Sequence, residues 1–146
     1  MELMIVRIME KDFNEVSLFI NQMLDAHTAE VIDVPMRLQK KFALELTINN
    51  EVCGAVSGTL TMQNFHVNGL VVMPKYRGQD FGSQLLIAIE KQGIEAGAKV
   101  LTVSTQCFQA LDFYKKHGYK VFGALKDVPF QGTTKYYLSK RVVTNS

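Results

Sequence analysis

The 146-residue chain predicts an α/β fold with a mixed central sheet around one core. Three observations carry that prediction. Apolar, β-branched runs of strand type alternate with segments whose apolar residues recur at the three-and-four spacing of a helix. Their order is strand, two helices, three strands, helix, strand, helix, two strands. Finally, a glycine stands just beyond each of the last two helical segments, at Gly97 and Gly118, where helices commonly close.

Composition sets the class. Hydrophobic residues make up 47% and charged residues 21% of the chain, the balance of a soluble globular protein, and the length suits a single domain over 1–146. A net charge of +2 is too mild to argue for nucleic acid as a partner. Cys53 and Cys107 make neither a disulfide framework nor a Cys/His metal pattern, so no metal is expected. The apolar start is short and broken by Arg7 and Glu10, which excludes a signal peptide, and no run of 18 apolar residues exists to span a membrane. A reducing cytoplasm is the expected location.

Taken in order, residues 3–9 read as a strand opening the sheet. Residues 11–25 place Phe13, Val16, Ile20, Met23 and Leu24 on one stripe, an amphipathic helix with Asp12 near its start. The pattern weakens after Ala26, with Pro35 set to start a short helix over 36–41. Strands over 42–48 and 51–62 form a hairpin around Asn49-Asn50, because asparagine tolerates the positive φ such turns require. Residues 65–73 form the next strand, with Gly69 inside it marking a bulge or a close backbone approach. A long helix over 82–96, a strand over 99–105, a helix over 108–116 and strands over 119–126 and 133–142 complete the chain.

The chain is organised around residues 68–88, NGLVVMPKYRGQDFGSQLLIA. A strand runs into a turn carrying Lys75, Arg77 and Gly78, and the turn runs into a helix start at Gly82. First-turn N–H groups lack intrahelical partners, and the helix dipole places partial positive charge there. With Arg77 and Lys75 adding whole charges, a pyrophosphate is the natural guest. No GxxxxGK[ST] occurs and no GxGxxG follows an early strand, which excludes a P-loop and a standard dinucleotide turn.

The same stretch resembles the acetyl-CoA signature of the GNAT N-acetyltransferase superfamily, [QR]-x-x-G-x-[GA]. Arg77 matches the first position and Gly82 the last, while Asp80 replaces the middle glycine. Downstream, QCFQALDFYKKHGY (106–119) resembles the family's second block, which ends in Tyr-x-Lys-x-Gly-aromatic; Tyr114, Lys116, Gly118 and Tyr119 match. The resemblance implies a single-domain GNAT-like fold. Its central sheet is mixed and mostly antiparallel, flanked by helices, with the fourth and fifth strands splayed to admit pantetheine. It implies acetyl-CoA as co-substrate, with the pyrophosphate on Arg77, Gly78, Gln79, Asp80, Phe81, Gly82 and Ser83. The pantetheine arm would lie along Leu70, Val71 and Val72. Cys107 stands where many members carry an asparagine that contacts the cofactor; read as a residue alone, it is a small buried thiol, and Cys53 is core.

Acetyl transfer to an amine needs a polarised thioester carbonyl, a neutral amine and a proton for the departing thiolate. A fixed N–H near Val71 or Val72 suits the first need. The resemblance implies Tyr114 as the acid for the CoA sulfur. His66 stands where some members keep a glutamate base, and histidine ordinarily titrates near neutral pH; a carboxylate or water is the alternative base, with Glu30, Asp33 and Glu45 as candidate acceptor contacts. The reading is therefore an acyltransferase moving acetyl from acetyl-CoA to a primary amine of a small molecule or peptide by direct transfer in a ternary complex, acting as a monomer or homodimer without nucleic acid or membrane. The alternative is a non-catalytic acyl-CoA-binding or regulatory module on the same fold, which Asp80 and the missing asparagine favour.

Overall fold

The structure, a computed structural model, describes residues 3–31 and 39–143. The chain divides into two units, Met1–Arg37 and Leu38–Ser146.

In the first unit the stripe of apolar residues forms α1 (Phe13–Val31). Asp12 closes its N-terminus: the Glu15 N–H donates to Asp12 Oδ2 at 3.1 Å, and the Val16 N–H donates to the Asp12 carbonyl at 3.1 Å. The helix continues six residues past the predicted end at 25. The strand predicted over 3–9 does not form; residues 3–12 carry no regular structure. A strand exists through its ladder partner, and none of these residues pairs with another strand among those described.

The second unit holds a six-stranded sheet. Its elements are β1 (Gln39–Ile48), β2 (Glu51–Thr61), β3 (Asn64–Val72), α2 (Phe81–Glu95), β4 (Val100–Thr105), α3 (Phe108–Lys116), β5 (Lys120–Lys126) and β6 (Thr134–Arg141). The strand order is β1-β2-β3-β4-β6-β5, antiparallel throughout except for the β3–β4 pair. The architecture is thus α/β with a mixed, mostly antiparallel sheet, as the sequence predicted. Because the strand predicted at 3–9 is absent, the predicted fourth and fifth strands are β3 and β4.

Local chemistry explains most boundaries. Asn49 and Asn50 adopt φ of 50° and 67°, turning β1 into β2 as the Asn-Asn pair required. Of the short helix predicted over 36–41, residues 36–38 lie outside the described residues, as does Asp33. Gln39, Lys40 and Lys41 are strand instead, paired with Thr61, Leu60 and Thr59. Their ladder with β2 overrides a weak helical pattern. Gly97 and Gly118 follow α2 and α3 at φ of 115° and 92°.

One face of α2 makes the core. Leu85, Leu86 and Ile89 pack on Val56, Leu60, Phe65, Val67, Leu101, Val103 and Leu138, and α3 adds Leu111 and Tyr114. Phe65, fully buried, sits in a slot between two glycines. A Cβ at Gly58 would stand 2.2 Å from its ring, and one at Gly93 of α2 would stand 2.6 Å away. The slot brings the helix close to the sheet. A buried polar cluster ties the far half to α2. Tyr119 Oη donates to Glu90 Oε2 at 2.6 Å, and Lys140 Nζ lies 3.4 Å from the same carboxylate. Burial, and then the Glu90 carboxylate, push the Tyr119 phenol far above its ordinary range.

Candidate functional site

Two irregularities in the sheet create the site. The first is a bulge: Ser57 pairs with Gly69 but Gly58 pairs with Val67, so Asn68 has no partner in the β2–β3 ladder. The bulge predicted at Gly69 therefore lies beside it. Asn68 Oδ1 accepts a hydrogen bond from Thr59 Oγ1 at 2.7 Å. The second irregularity is a splay. β3 pairs with β4 only at Asn64↔Val100, Phe65↔Leu101 and His66↔Thr102. Past that last rung, β3 stays with β2 and β4 stays with β6. A gap opens between them, and the β3 edge facing it, carrying Leu70, Val71 and Val72, has no ladder partner.

At the end of β3 the chain makes a turn of 3-10 helix, Pro74–Tyr76. It is tied to the start of β2: Tyr76 Oη donates to Glu51 Oε2 at 2.5 Å, and Lys75 Nζ lies 3.4 Å from the same oxygen. Lys75 thus keeps its charge at the turn but shares it with Glu51 across an exposed contact. Tyr76 and Lys75, through those hydrogen bonds, hold the Glu51 carboxyl below its ordinary value. Arg77 Nε donates to the Val72 carbonyl at 3.1 Å, pinning the turn to the strand end.

The backbone then takes two left-handed positions, Gly78 (φ 81°) and Asp80 (φ 69°, ψ 13°), before α2 begins. Asp80 occupies the N-cap position, yet its side chain makes no capping hydrogen bond. The backbone N–H groups of residues 78–83 find no acceptor among the described residues. Gly78, Asp80, Gly82 and Ser83 of this turn line a hollow of about 240 Å³ with Val72, Arg77 and Phe113. A Cβ at Gly82 would lie 3.6 Å from the Phe113 ring and 3.7 Å from Val72 Cγ2, an ordinary contact. The protein's own packing therefore does not demand glycine there. A nest of free N–H groups at a helix N-terminus suits an anion.

α3 meets this turn. Ser83 Oγ, in the first turn of α2, lies 2.8 Å from Nε2 of His117, the residue that ends α3. The His117 ring lies 4.8 Å from that of Phe113, centre to centre. The sequence placed His117 at the helix end but gave no sign of its link to Ser83, 34 residues earlier.

Tyr114, one residue past Phe113, is 6% exposed. Its ring stacks edge-on to Tyr119 at 5.6 Å, whose hydroxyl is held by Glu90. The Tyr114 hydroxyl has no hydrogen-bond partner among the described residues, and no fully buried side-chain oxygen is left unsatisfied. The hydroxyl therefore reaches accessible surface. Burial raises its pKa, which keeps it protonated at neutral pH.

His66 sits at the last rung before the gap. Its Nδ1 is 2.9 Å from Thr102 Oγ1, which also accepts from Asn64 Nδ2 at 3.2 Å. A hydroxyl oxygen has two lone pairs, so Nδ1–H can donate to Thr102 as well, leaving the Nε2 lone pair free to take a proton. Burial first, then the charge of Lys135, hold the imidazole below its ordinary pKa and hence neutral at pH 7.

Cys107 differs from expectation. It is exposed at the N-cap of α3, with its N–H donating to Thr105 Oγ1 at 3.2 Å. Where β4 ends and α3 starts, the chain lies at the surface, so a small apolar side chain there is not drawn inside. Cys53 is fully buried, as expected. Among the described residues, no three His, Cys, Asp or Glu side chains gather as a metal would require, and no helix is long and apolar enough to cross a membrane.

An α/β sheet whose parallel pair parts beside a nest of free N–H groups defines a scaffold that can seat a phosphate-bearing cofactor with an extended arm. The chain belongs to the GNAT acetyltransferase family: the acetyltransferase (GNAT) domain matches residues 10–129. Enzymes of this family use acetyl-CoA. The aminoalkylphosphonate N-acetyltransferase of Salmonella typhimurium is 39% identical over 80 residues, 49% of this chain and 52% of that protein. The match thus spans about half the length of that relative. Blasticidin-S acetyltransferase of Streptomyces morookaense is 33% identical over 93 residues, 63% of this chain and 68% of the relative. The crystal structure of an acetyltransferase from Bacillus cereus superposes with a TM-score of 0.80 at 28% identity, covering 94% of this chain and 98% of that one.

Proposed function

We propose that this chain, read as one acetyltransferase domain over 1–146, transfers an acetyl group from acetyl-CoA to a primary amine within a ternary complex. The observation that carries the reading is the gap that opens at His66/Thr102 and leads along a free strand edge to the free N–H groups of residues 78–83. The pyrophosphate lies over that turn. Pantetheine runs along Leu70, Val71 and Val72, using backbone groups that β4 leaves unpaired.

The chemistry follows from the groups at either side. His66 takes the amine proton, directly or through water, so the neutral nitrogen attacks the thioester carbon. A backbone N–H of β3 near Val71 or Val72 stabilises the oxyanion. As the C–S bond breaks, Tyr114 gives its proton to the CoA thiolate, and the His66 proton returns to solvent. The products are the acetamide and free CoA.

The second reading, an acyl-CoA-binding module without turnover, is favoured by Asp80 in the phosphate turn and by exposed Cys107 in place of the family's asparagine. A panel of amines assayed for CoA release separates the two: turnover of at least one amine supports the enzyme, whereas tight acetyl-CoA binding with no release across the panel supports the module. The names of the relatives guide the panel, which should include an aminoalkylphosphonate and blasticidin S.

A further inference from the structure

Strand register places a second group of polar side chains at the mouth of the gap, on the face of the sheet away from α2. Side chains alternate along each strand. With Phe65, Val67, Leu101, Val103 and Leu138 in the core, His66, Thr102, Ser104, Tyr137 and Ser139 fall on the opposite face, linked by the rungs His66↔Thr102, Thr102↔Ser139 and Ser104↔Tyr137. Lys135, two residues before Tyr137 on β6, belongs to this face. Its Nζ lies 5.5 Å from the Tyr137 ring centre, and its charge contributes, after burial, to lowering the His66 pKa.

Lys135 has no carboxylate partner among the described residues. The acidic groups of this unit are committed or lie elsewhere. Glu51 holds Lys75 and Tyr76, Glu90 holds Tyr119 and Lys140, and Asp112 holds Lys116. Asp127 accepts from the Gly132 N–H in the β5–β6 loop, Asp80 lies in the phosphate turn and Glu95 ends α2. Glu45, the carboxylate on this same face, stands on the other side of β3 from Lys135, where it lines a cavity of about 550 Å³ with Ala55, Ser57, Gly69 and Val71. A partly buried cation without a carboxylate partner, on the face of the sheet that carries a neutral imidazole, is suited to an anionic guest.

We propose that the acceptor carries an anionic group, a carboxylate, phosphonate or phosphate, which pairs with Lys135 while its amine faces His66. This rests on the acetyl-transfer reading above and narrows its substrate to short zwitterionic amines.

The test compares kcat/KM for 2-aminoethylphosphonate, β-alanine, n-propylamine and spermidine in wild type, Lys135→Gln and Lys135→Arg. We expect the wild type to prefer the two anionic amines over n-propylamine by ~10-fold or more, as a charge-assisted contact provides. Lys135→Gln should collapse that ratio, mainly through KM, and Lys135→Arg should retain it. The ratio between acceptors cancels any common effect of the substitution on His66 or on folding. Equal rates for n-propylamine and the anionic amines in wild type, or a ratio that survives Lys135→Gln, would overturn the proposal while leaving acetyl transfer intact. No CoA release with any amine, by protein that binds acetyl-CoA, would remove the transfer reading and this proposal with it.

Discussion

Asp80 is a carboxylate inside a turn whose other features favour phosphate, and its removal tests how the turn works. The residue is left-handed at φ 69° and makes no capping bond, so substitution loses no hydrogen bond. With the carboxylate about 8 Å from each phosphate in water-like surroundings, the repulsion is ~0.5 kcal/mol per charge and ~1 kcal/mol for a doubly charged pyrophosphate. At ~0.1 M salt the Debye length is ~10 Å, which roughly halves this. Asp80→Asn removes the charge and keeps a side chain that tolerates the left-handed region. It should therefore lower the acetyl-CoA Kd by ~2- to 5-fold at low ionic strength, with the gain fading as salt rises. Asp80→Gly should do the same. The relief of the positive φ and the greater entropy of the unfolded glycine chain are each ~1 kcal/mol or less and oppose one another, so Tm should hardly move. Isothermal titration of acetyl-CoA at several salt concentrations measures this. A Kd unaltered in Asp80→Asn at low salt, or a gain that persists in high salt, would refute the electrostatic argument.

Other consequences are more direct. Tyr114→Phe should lower kcat and kcat/KM together by ~10²- to 10⁴-fold while leaving acetyl-CoA affinity in place. Because the hydroxyl has no hydrogen-bond partner among the described residues, its Tm should match wild type; wild-type turnover would exclude the acid role. Gly93→Ala forces a methyl to within 2.6 Å of the Phe65 ring and should destabilise by ~1–3 kcal/mol in chemical denaturation, despite the better helix propensity of alanine. At Gly82 an added Cβ meets only ordinary contacts, so Gly82→Val should still fold, but it should abolish acetyl-CoA binding by filling the hollow under the phosphate turn. The His66 imidazole is held low by burial and by Lys135, so the neutral, base-competent form persists as pH falls and the acid limb of kcat/KM should lie below pH ~6.5. Lys135→Gln should move that limb upward. The same depression makes the folded state lose stability as pH falls below the unfolded value, because the unfolded chain takes up the proton first.

The sequence by itself determined the α/β class, the positions of α2 and α3, the Asn-Asn hairpin and the strand–turn–helix around Arg77. These are local matters: a period of apolar residues, a glycine just past a helix, a pair of asparagines that accept positive φ. They were legible because each is specified within a few neighbouring residues. The sequence misjudged residues 3–9 and 39–41, where strand or helix character is decided by whether a ladder partner is present. It also misjudged Cys107, whose burial depends on where the chain emerges between β4 and α3. Only the tertiary structure decided that Lys75 is taken by Glu51, that Ser83 meets His117, and that Glu90 steadies Tyr119 behind Tyr114. It alone showed that β3 and β4 part at His66 and Thr102, with Lys135 on the same face of the sheet and without a carboxylate partner among the described residues. Each of these joins residues two dozen or more positions apart, and no periodicity in the chain encodes such a meeting. It arises when six strands take one register and every side chain is thereby assigned to a face.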